Sequence, residues 1–356
     1  MGTGARLTFA FLLAASSPDS VYAADLYVSL SGDDQNTGLS EGAAWRSLDH
    51  AGKTAQAGDI VHVEAGDYGN DPLVVVNDGT EALPIVFEGY GKTPGDNPLT
   101  AWSYPDNAVL DASVMPLIDG GDSANGIGIT TNGRSYVEVR NFQVQNFARG
   151  LYAWGTNHTV VDQVITQTLG DLNASYSGIG IAFGSEAYDN VVRNSIVYNA
   201  GAEGIAITGD RNLVEDCHVY QDNDSTASAA MDYYIVIGGD DNTVDNCSIE
   251  RVGDLSHGGH GIGVKGDAKN NLFTRNKTTN LGTGYYVRHR GAQLNKFVGN
   301  RSLGDEAAIL IRDGASANEF RNMWIQGALG AISFMDTDED GGATWAGNDN
   351  LGLVTI

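Results

Sequence analysis

Six segments of this chain share one pattern, and that pattern leaves few folds open. Asparagine, then apolar or β-branched residues, then asparagine or aspartate four or five places on, recurs as "NVVRN" (190–194), "NLVED" (212–216), "NTVDN" (242–246), "NLFTRN" (271–276), "NKFVGN" (295–300) and "NEFRN" (318–322). Beside each lies an alternating stretch closed by glycine, such as "GIAFG", "GIAITG", "GIGVKG" and "AILIRDG". The closing residues Gly184, Gly209, Gly238, Gly266, Gly291 and Gly314 stand 23 to 29 residues apart. Strands this short cannot bury a face alone. Wound into successive coils, they lay the Ile, Val and Phe of each turn on those above and below. Asparagines at one turn position can then stack amide on amide. The hairpin signals of a sandwich and the blade period of a propeller are missing. The repeats predict an all-β, single-domain right-handed parallel β-helix, with regular coils over about 135–340 and an N-terminal cap plus first coils over about 24–134. The one helix candidate, "AWRSLDHAGKTA" (44–55), is expected to cover the open end of the first coil and keep stray strands from adding there.

Ahead of the repeats, residues 1–23 have the form of a secretory signal peptide. Arg6 gives a positive start, residues 7–15 a short apolar core, and the Val21, Tyr22, Ala23 run a small-residue cleavage site. The apolar run is too short to span a bilayer, so a secreted or periplasmic protein starting near Ala24 is expected. Asp and Glu number 45 against 20 Lys and Arg, a net charge of −25. That field repels nucleic acid and anionic membranes, which are not expected as partners; a monomer is expected. The two cysteines, Cys217 in "VEDCHVY" and Cys247 in "VDNCSIE", occupy like positions of neighbouring repeats. Stacked strands lie within disulfide reach, so a disulfide and a reduced, buried stack are both open.

Against this acidity, three consecutive repeats gather cations: "GIGVKG", "YYVRHRG" and "AILIRDG". Side chains alternate along a strand. With Ile262, Val264, Tyr285, Val287, Ile309 and Ile311 inward, Lys265, Tyr286, Arg288, Leu310 and Arg312 face out. Stacking then lines up Lys265, Arg288 and Arg312 on one wall, with Gly238 and Thr208 at the same level and Arg290 a fourth cation if its strand continues. Such a column repels itself and depresses the lysine's pKa. A loop acid such as Asp254 or Asp313 could neutralise it. Otherwise the counter-charge is an acidic ligand, a polyuronate whose sugar faces could stack on Tyr234 and Tyr286. Abstraction of the C5 proton of a uronate needs a base, a group that stabilises enolate-like charge, and an acid for the departing O4. Lys265, Arg288 and His260 can supply all three.

These segments resemble the β-helical polysaccharide lyases of the alginate lyase and chondroitinase B kind. There a lysine at a strand end and an arginine one coil later, often followed by His and Gly, act as base and acid; Lys265, Arg288 and His289 match them here. The stretch "LYVSLSGDDQNTG…AWRSLDHA…AGDIVHVEAGDY" is also similar to the start of such lyases and of related mannuronan C5-epimerases. The resemblance implies glutamates ahead of the lysine that hold calcium, but Gly258 and His260 stand in those places. No cofactor follows from the residues, and calcium stays open; the acidic run "DTDED" (336–340) reads as solvated turn acids. "GGHGIGV" and "VRHR" also resemble polygalacturonases, which need carboxylates on adjacent coils. Glu203 and Asp232 stand there, with Tyr233 where another acid belongs. The candidate site is thus Lys265, Arg288 and His260 as catalytic residues, and Arg290, Arg312, Tyr234, Tyr286, His257 and His289 as substrate-binding residues, with no metal ligand. His257 and His260 are three apart without a third ligand, so a zinc site is not expected. The expected activity is β-elimination of an acidic polysaccharide, most simply alginate. Hydrolysis, C5-epimerisation and carbohydrate binding without catalysis are the alternatives.

Overall fold

The computed structural model describes residues 23–98, 110–122, 124–170, 178–222, 231–252 and 258–335. The proposed leader, His257, Asp254 and the 336–340 acids lie outside the described residues. Each regular coil holds three strands. One coil runs His260–Val264, Leu272–Thr274 and Lys277–Thr279, and the next runs Thr283–Arg288, Lys296–Val298 and Arg301–Leu303. The first strand of every coil joins a 10-stranded sheet, while the other two join an 18-stranded sheet that wraps the remaining faces. Pairing is parallel and in register, so Ile181, Ile205, Ile235, Ile262, Tyr285 and Ile309 form one inward column. All six are at most 1% exposed. On the opposite inner wall Phe273, Phe297 and Phe320 stack, with centroids 4.3 and 4.5 Å apart. Apolar side chains therefore meet like side chains at every step, the packing that only a coil can give these short strands.

The asparagine ladder forms as the repeats predict. Asn190, Asn212, Asn242, Asn271, Asn295 and Asn318 stack, each Nδ2 donating to the next Oδ1 at 2.9–3.1 Å. The same Oδ1 atoms also accept from the preceding asparagine's backbone N–H at 2.8–3.0 Å. The second polar residue of the motif proves to be two different things. Asn194, Asp216, Asn246 and Asn322 take left-handed backbone angles that turn the chain, a conformation that suits Asn and Asp. In the two longer segments Arg275 and Gly299 make that turn, and Asn276 and Asn300 start a second amide stack. Asn242→Ala should cost about 1–3 kcal/mol, because it strands the buried N–H of Asn212 without an acceptor. A urea midpoint equal to that of the parent would show that water fills the gap.

Cys217 and Cys247 are both buried and both free. Each thiol points at backbone carbonyls, Cys217 Sγ to Glu215 O at 3.2 Å and Cys247 Sγ to Asp245 O at 3.4 Å. The reduced stack is the arrangement present. The N-terminal helix is shorter than the sequence pattern, Leu48–Thr54, because Ser47 Oγ accepts from His50 N and starts it there. Trp45, inside the expected span, instead bridges to Val28. Leu48 and Ala51 of the helix are fully buried.

Candidate active site

The rungs carry the three cations to one level. Val264, Val287 and Ile311 are register partners, and the next residues are Lys265, Arg288 and Arg312; Arg288 and Arg312 pair directly. All three side chains reach partial exposure, so they face outward, about 4.8 Å apart along the axis. Two of them do not wait for a ligand. Asp313 is fully buried, turns the chain at φ 54°, and its Oδ2 accepts from Arg312 Nε at 2.9 Å and Arg288 Nε at 3.3 Å. The loop-acid alternative thus holds for Arg288 and Arg312, through Asp313. Lys265 differs. Its Nζ lies 4.6 Å above the centroid of the Tyr233 ring, and among the described residues no carboxylate stands within ion-pair distance of it.

A pocket of ≈ 480 Å³ opens beside Lys265, lined by Ile179, Ala202, Glu203, Asp232, Tyr233, Lys265 and Arg288. Glu203 and Tyr233 come from the starts of the Glu203–Ile207 and Tyr233–Ile237 strands, and Lys265 and Arg288 from the ends of the next two. With Ile179 on the coil before Glu203, the pocket crosses five coils diagonally. A kink makes this geometry. Register partners run Glu203, Tyr233, His260 and then Ile205, Ile235, Ile262, passing over Gly204, Tyr234 and Gly261. Two consecutive residues turn inward at the skipped rung. A Cβ on Gly204 would lie 2.4 Å from Val219 in the interior, and glycine fits that space at most coils.

Tyr234 occupies the skipped rung and is 0% exposed in the central core. Its expected place beside the cation column is corrected. The residue at the site is its neighbour Tyr233, whose hydroxyl oxygen accepts from Arg288 Nη1 at 2.9 Å. Strict alternation hid it. Tyr286 does lie on the outer face, but in a covered cluster with Tyr233, Val236 and Leu310, and it is 1% exposed. It offers no surface for a sugar. His260 packs against both Tyr233 and Tyr286, at 5.3 and 5.2 Å, and does not line the pocket.

Burial governs the titration of this cluster. It pushes Glu203 above the ordinary carboxyl range, with Lys265 opposing and Asp232 adding to the rise. Asp232 is raised by burial too, against Lys265, Arg288 and Arg312. Burial holds His260 down to about 4, helped by Arg312, Arg288 and Lys265, so its ring is neutral near pH 7. His289 is lowered by burial and then by Arg288. Its Nδ1 accepts from Gly266 N at 2.9 Å, which ties the turn after Lys265 to the next coil. The strand ends at Arg288, and Arg290 is exposed in the turn beyond it, off the column and outside the pocket lining. Arg312 sits one coil past Arg288, also outside that lining.

Sequence reasoning brought Lys265 and Arg288 to one site and noted Glu203 and Asp232 without joining them to it. Gly258 and His260 occupy the places where the lyase resemblance implies calcium ligands. Gly258 has no side chain and the half-buried His260 ring packs against two tyrosines, so that ligand set is not reproduced. Among the described residues no group of three His, Cys, Asp or Glu gathers around a common point.

Residues 125–325 match the family described as "Right handed beta helix region". No curated protein matches the sequence. Among solved structures the chain is similar to the alginate lyase from Paenibacillus sp. str. FPU-7, with a TM-score of 0.62 and 19% identity over 81% of this chain and 94% of that one. A rhamnogalacturonan lyase gives 0.56 and 13% over 83% and 75%. The lacto-N-biosidase from Eubacterium ramulus gives 0.53 and 16% over 88% and 67%. Likeness at these identities is likeness of fold, and lyases and a glycosidase share it.

Proposed function

The chain belongs to the family of right handed beta helix regions, and on that scaffold we propose that it is a polysaccharide lyase cleaving a uronate polymer, such as alginate, by β-elimination. The observation that carries this reading is Lys265. It is the one cation of the column with no carboxylate at ion-pair distance among the described residues, and it shares a pocket with Arg288. Lys265 takes the C5 proton, and Arg288, fixed by Asp313, faces the charge that develops as the C5–H bond breaks. Glu203 and Asp232 line the same pocket. Burial raises both carboxyl groups above the ordinary range, with Lys265 opposing, and an arriving carboxylate raises them further. The alginate lyase likeness supports the scaffold of this reading, and the chemistry rests on the pocket. Export, expected from residues 1–23, belongs to the same proposal, since the polymer is extracellular.

The pairing of Glu203 with Asp232 also favours a second reading. Two carboxyls in one pocket are the equipment of a glycoside hydrolase. Incubation with alginate and with polygalacturonate separates the readings. Elimination is expected, seen as rising ultraviolet absorbance from a C4–C5 double bond conjugated to the carboxylate. New reducing ends without absorbance would instead establish hydrolysis. Deuterium entering C5 from solvent without chain cleavage would establish epimerisation.

A further inference from the structure

We infer that Tyr233 is the proton donor of this pocket, delivering its hydroxyl hydrogen to the leaving O4 while Lys265 takes the proton from C5. The inference rests on the β-elimination reading and names a catalytic residue that the lyase resemblance does not.

The first ground is direction. Arg288 Nη1 donates to the Tyr233 oxygen at 2.9 Å. A guanidinium only donates, so this bond uses a lone pair of the phenol and leaves its own hydrogen to point elsewhere. Among the described residues no acceptor takes that hydrogen, and Tyr233 lines the pocket. The second ground is chemistry. An arginine does not give up its proton in a protein, which makes Arg288 a poor acid for O4. It is well suited to stabilise the phenolate that a tyrosine leaves behind. The third ground is rigidity. The Tyr233 ring packs against Lys265 Nζ at 4.6 Å and the His260 ring at 5.3 Å, and its hydroxyl is tied to Arg288. Burial also raises the pKa of Tyr233, with Asp232 adding to the rise and Arg288 opposing it, which keeps the proton in place until O4 departs.

The step balances without an outside reagent. The electron pair of the C5–H bond becomes the C4–C5 double bond, and that proton goes to the Lys265 amine. The pair of the C4–O4 bond leaves with O4, which takes the Tyr233 proton and becomes a hydroxyl. Lys265 is then an ammonium and Tyr233 a phenolate beside Arg288. One proton passed from Lys265 to Tyr233, directly or through water, restores both.

The test uses the full chain, alginate, and a series of uronides carrying aryl leaving groups of graded acidity at O4. Tyr233→Phe keeps the ring, so its urea midpoint should stay near that of the parent. On alginate its turnover should fall about 10²–10⁴-fold, the range a positioned acid supplies. On the aryl series its rates should rise steeply with leaving-group acidity, and the most acidic phenol should return it to within about tenfold of the parent. The parent's rates should depend weakly on that acidity. Unchanged turnover on alginate, or an equal fall for every leaving group, would overturn the role of Tyr233 while leaving elimination intact. If the parent itself forms no unsaturated product from alginate or polygalacturonate, the elimination reading falls, and this assignment with it.

Discussion

Lys265→Met should abolish cleavage of a polyuronate by elimination, with turnover down by about 10²–10⁴-fold or more, while the protein keeps its fold. The range is that of a positioned base, and the loss of a cation beside developing negative charge adds to it. Stability should change little. Lys265 sits over the face of the Tyr233 ring, and such contacts at partly exposed sites contribute about 0.5–1 kcal/mol. Lys265→Arg sharpens the result. It keeps the charge over Tyr233 but puts there a group that stays protonated. If the lysine is the base, both variants are inactive. An active Lys265→Arg would mean that the site needs only the charge, and the base would have to be sought at Glu203 or Asp232. Initial rates of absorbance increase, with urea unfolding as the control, read both effects.

Asp313→Asn should be the most destabilising single change at the site, at about 3–5 kcal/mol. The carboxylate is 0% exposed, and Arg288 and Arg312, which share its Oδ2, are only 16% and 12% exposed. Removing its charge leaves two guanidinium groups largely out of water and repelling each other across one rung. Asparagine keeps the volume and tolerates the left-handed backbone at φ 54°, so the change isolates charge. A second substitution, Arg312→Met, should recover part of the loss, because it removes one of the two like charges that Asp313 no longer balances. A change below about 0.5 kcal/mol, the size of an ordinary surface substitution, would show that other groups hold these arginines. Since Arg288 carries the Tyr233 hydrogen bond, Asp313→Asn should also lower turnover.

Much of this was legible in the sequence because a coil converts repetition into position. Once the inward residues Ile237, Val264, Val287 and Ile311 are aligned, the residues after them share a level, and the Lys265, Arg288, Arg312 column follows. The asparagine ladder follows by the same alignment. Two things were not legible. Alternation fails at the rung occupied by Gly204, Tyr234 and Gly261, where the pairing skips a residue. The aromatic at the site is therefore Tyr233 and not Tyr234, although the run of glycines at that rung hints at a crowded inward position. The reach of Asp313 was open as well. Its neighbour in sequence is Arg312, but only the left-handed turn swings its carboxylate to Arg288 on the preceding coil. Tyr286 shows a third limit. Facing outward on a strand does not mean facing water when neighbours on the same sheet, here Tyr233, Val236 and Leu310, close around the ring.

Because Glu203, Asp232 with Tyr233, Lys265, and Arg288 each come from a different turn of the coil, the distances among them are graduated like marks on a ruler, in steps of about 4.8 Å. Loop residues can be gained or lost between strands without moving any mark. Excising one whole turn, for instance residues 209–238, would instead remove Asp232 and Tyr233 and slide Glu203 one graduation toward Lys265, while the remaining strands still paired in register. On such a scaffold the separation of side chains on different turns can change only in whole units, so a shift in the size or spacing of the sugar accepted would come by duplicating or deleting a turn.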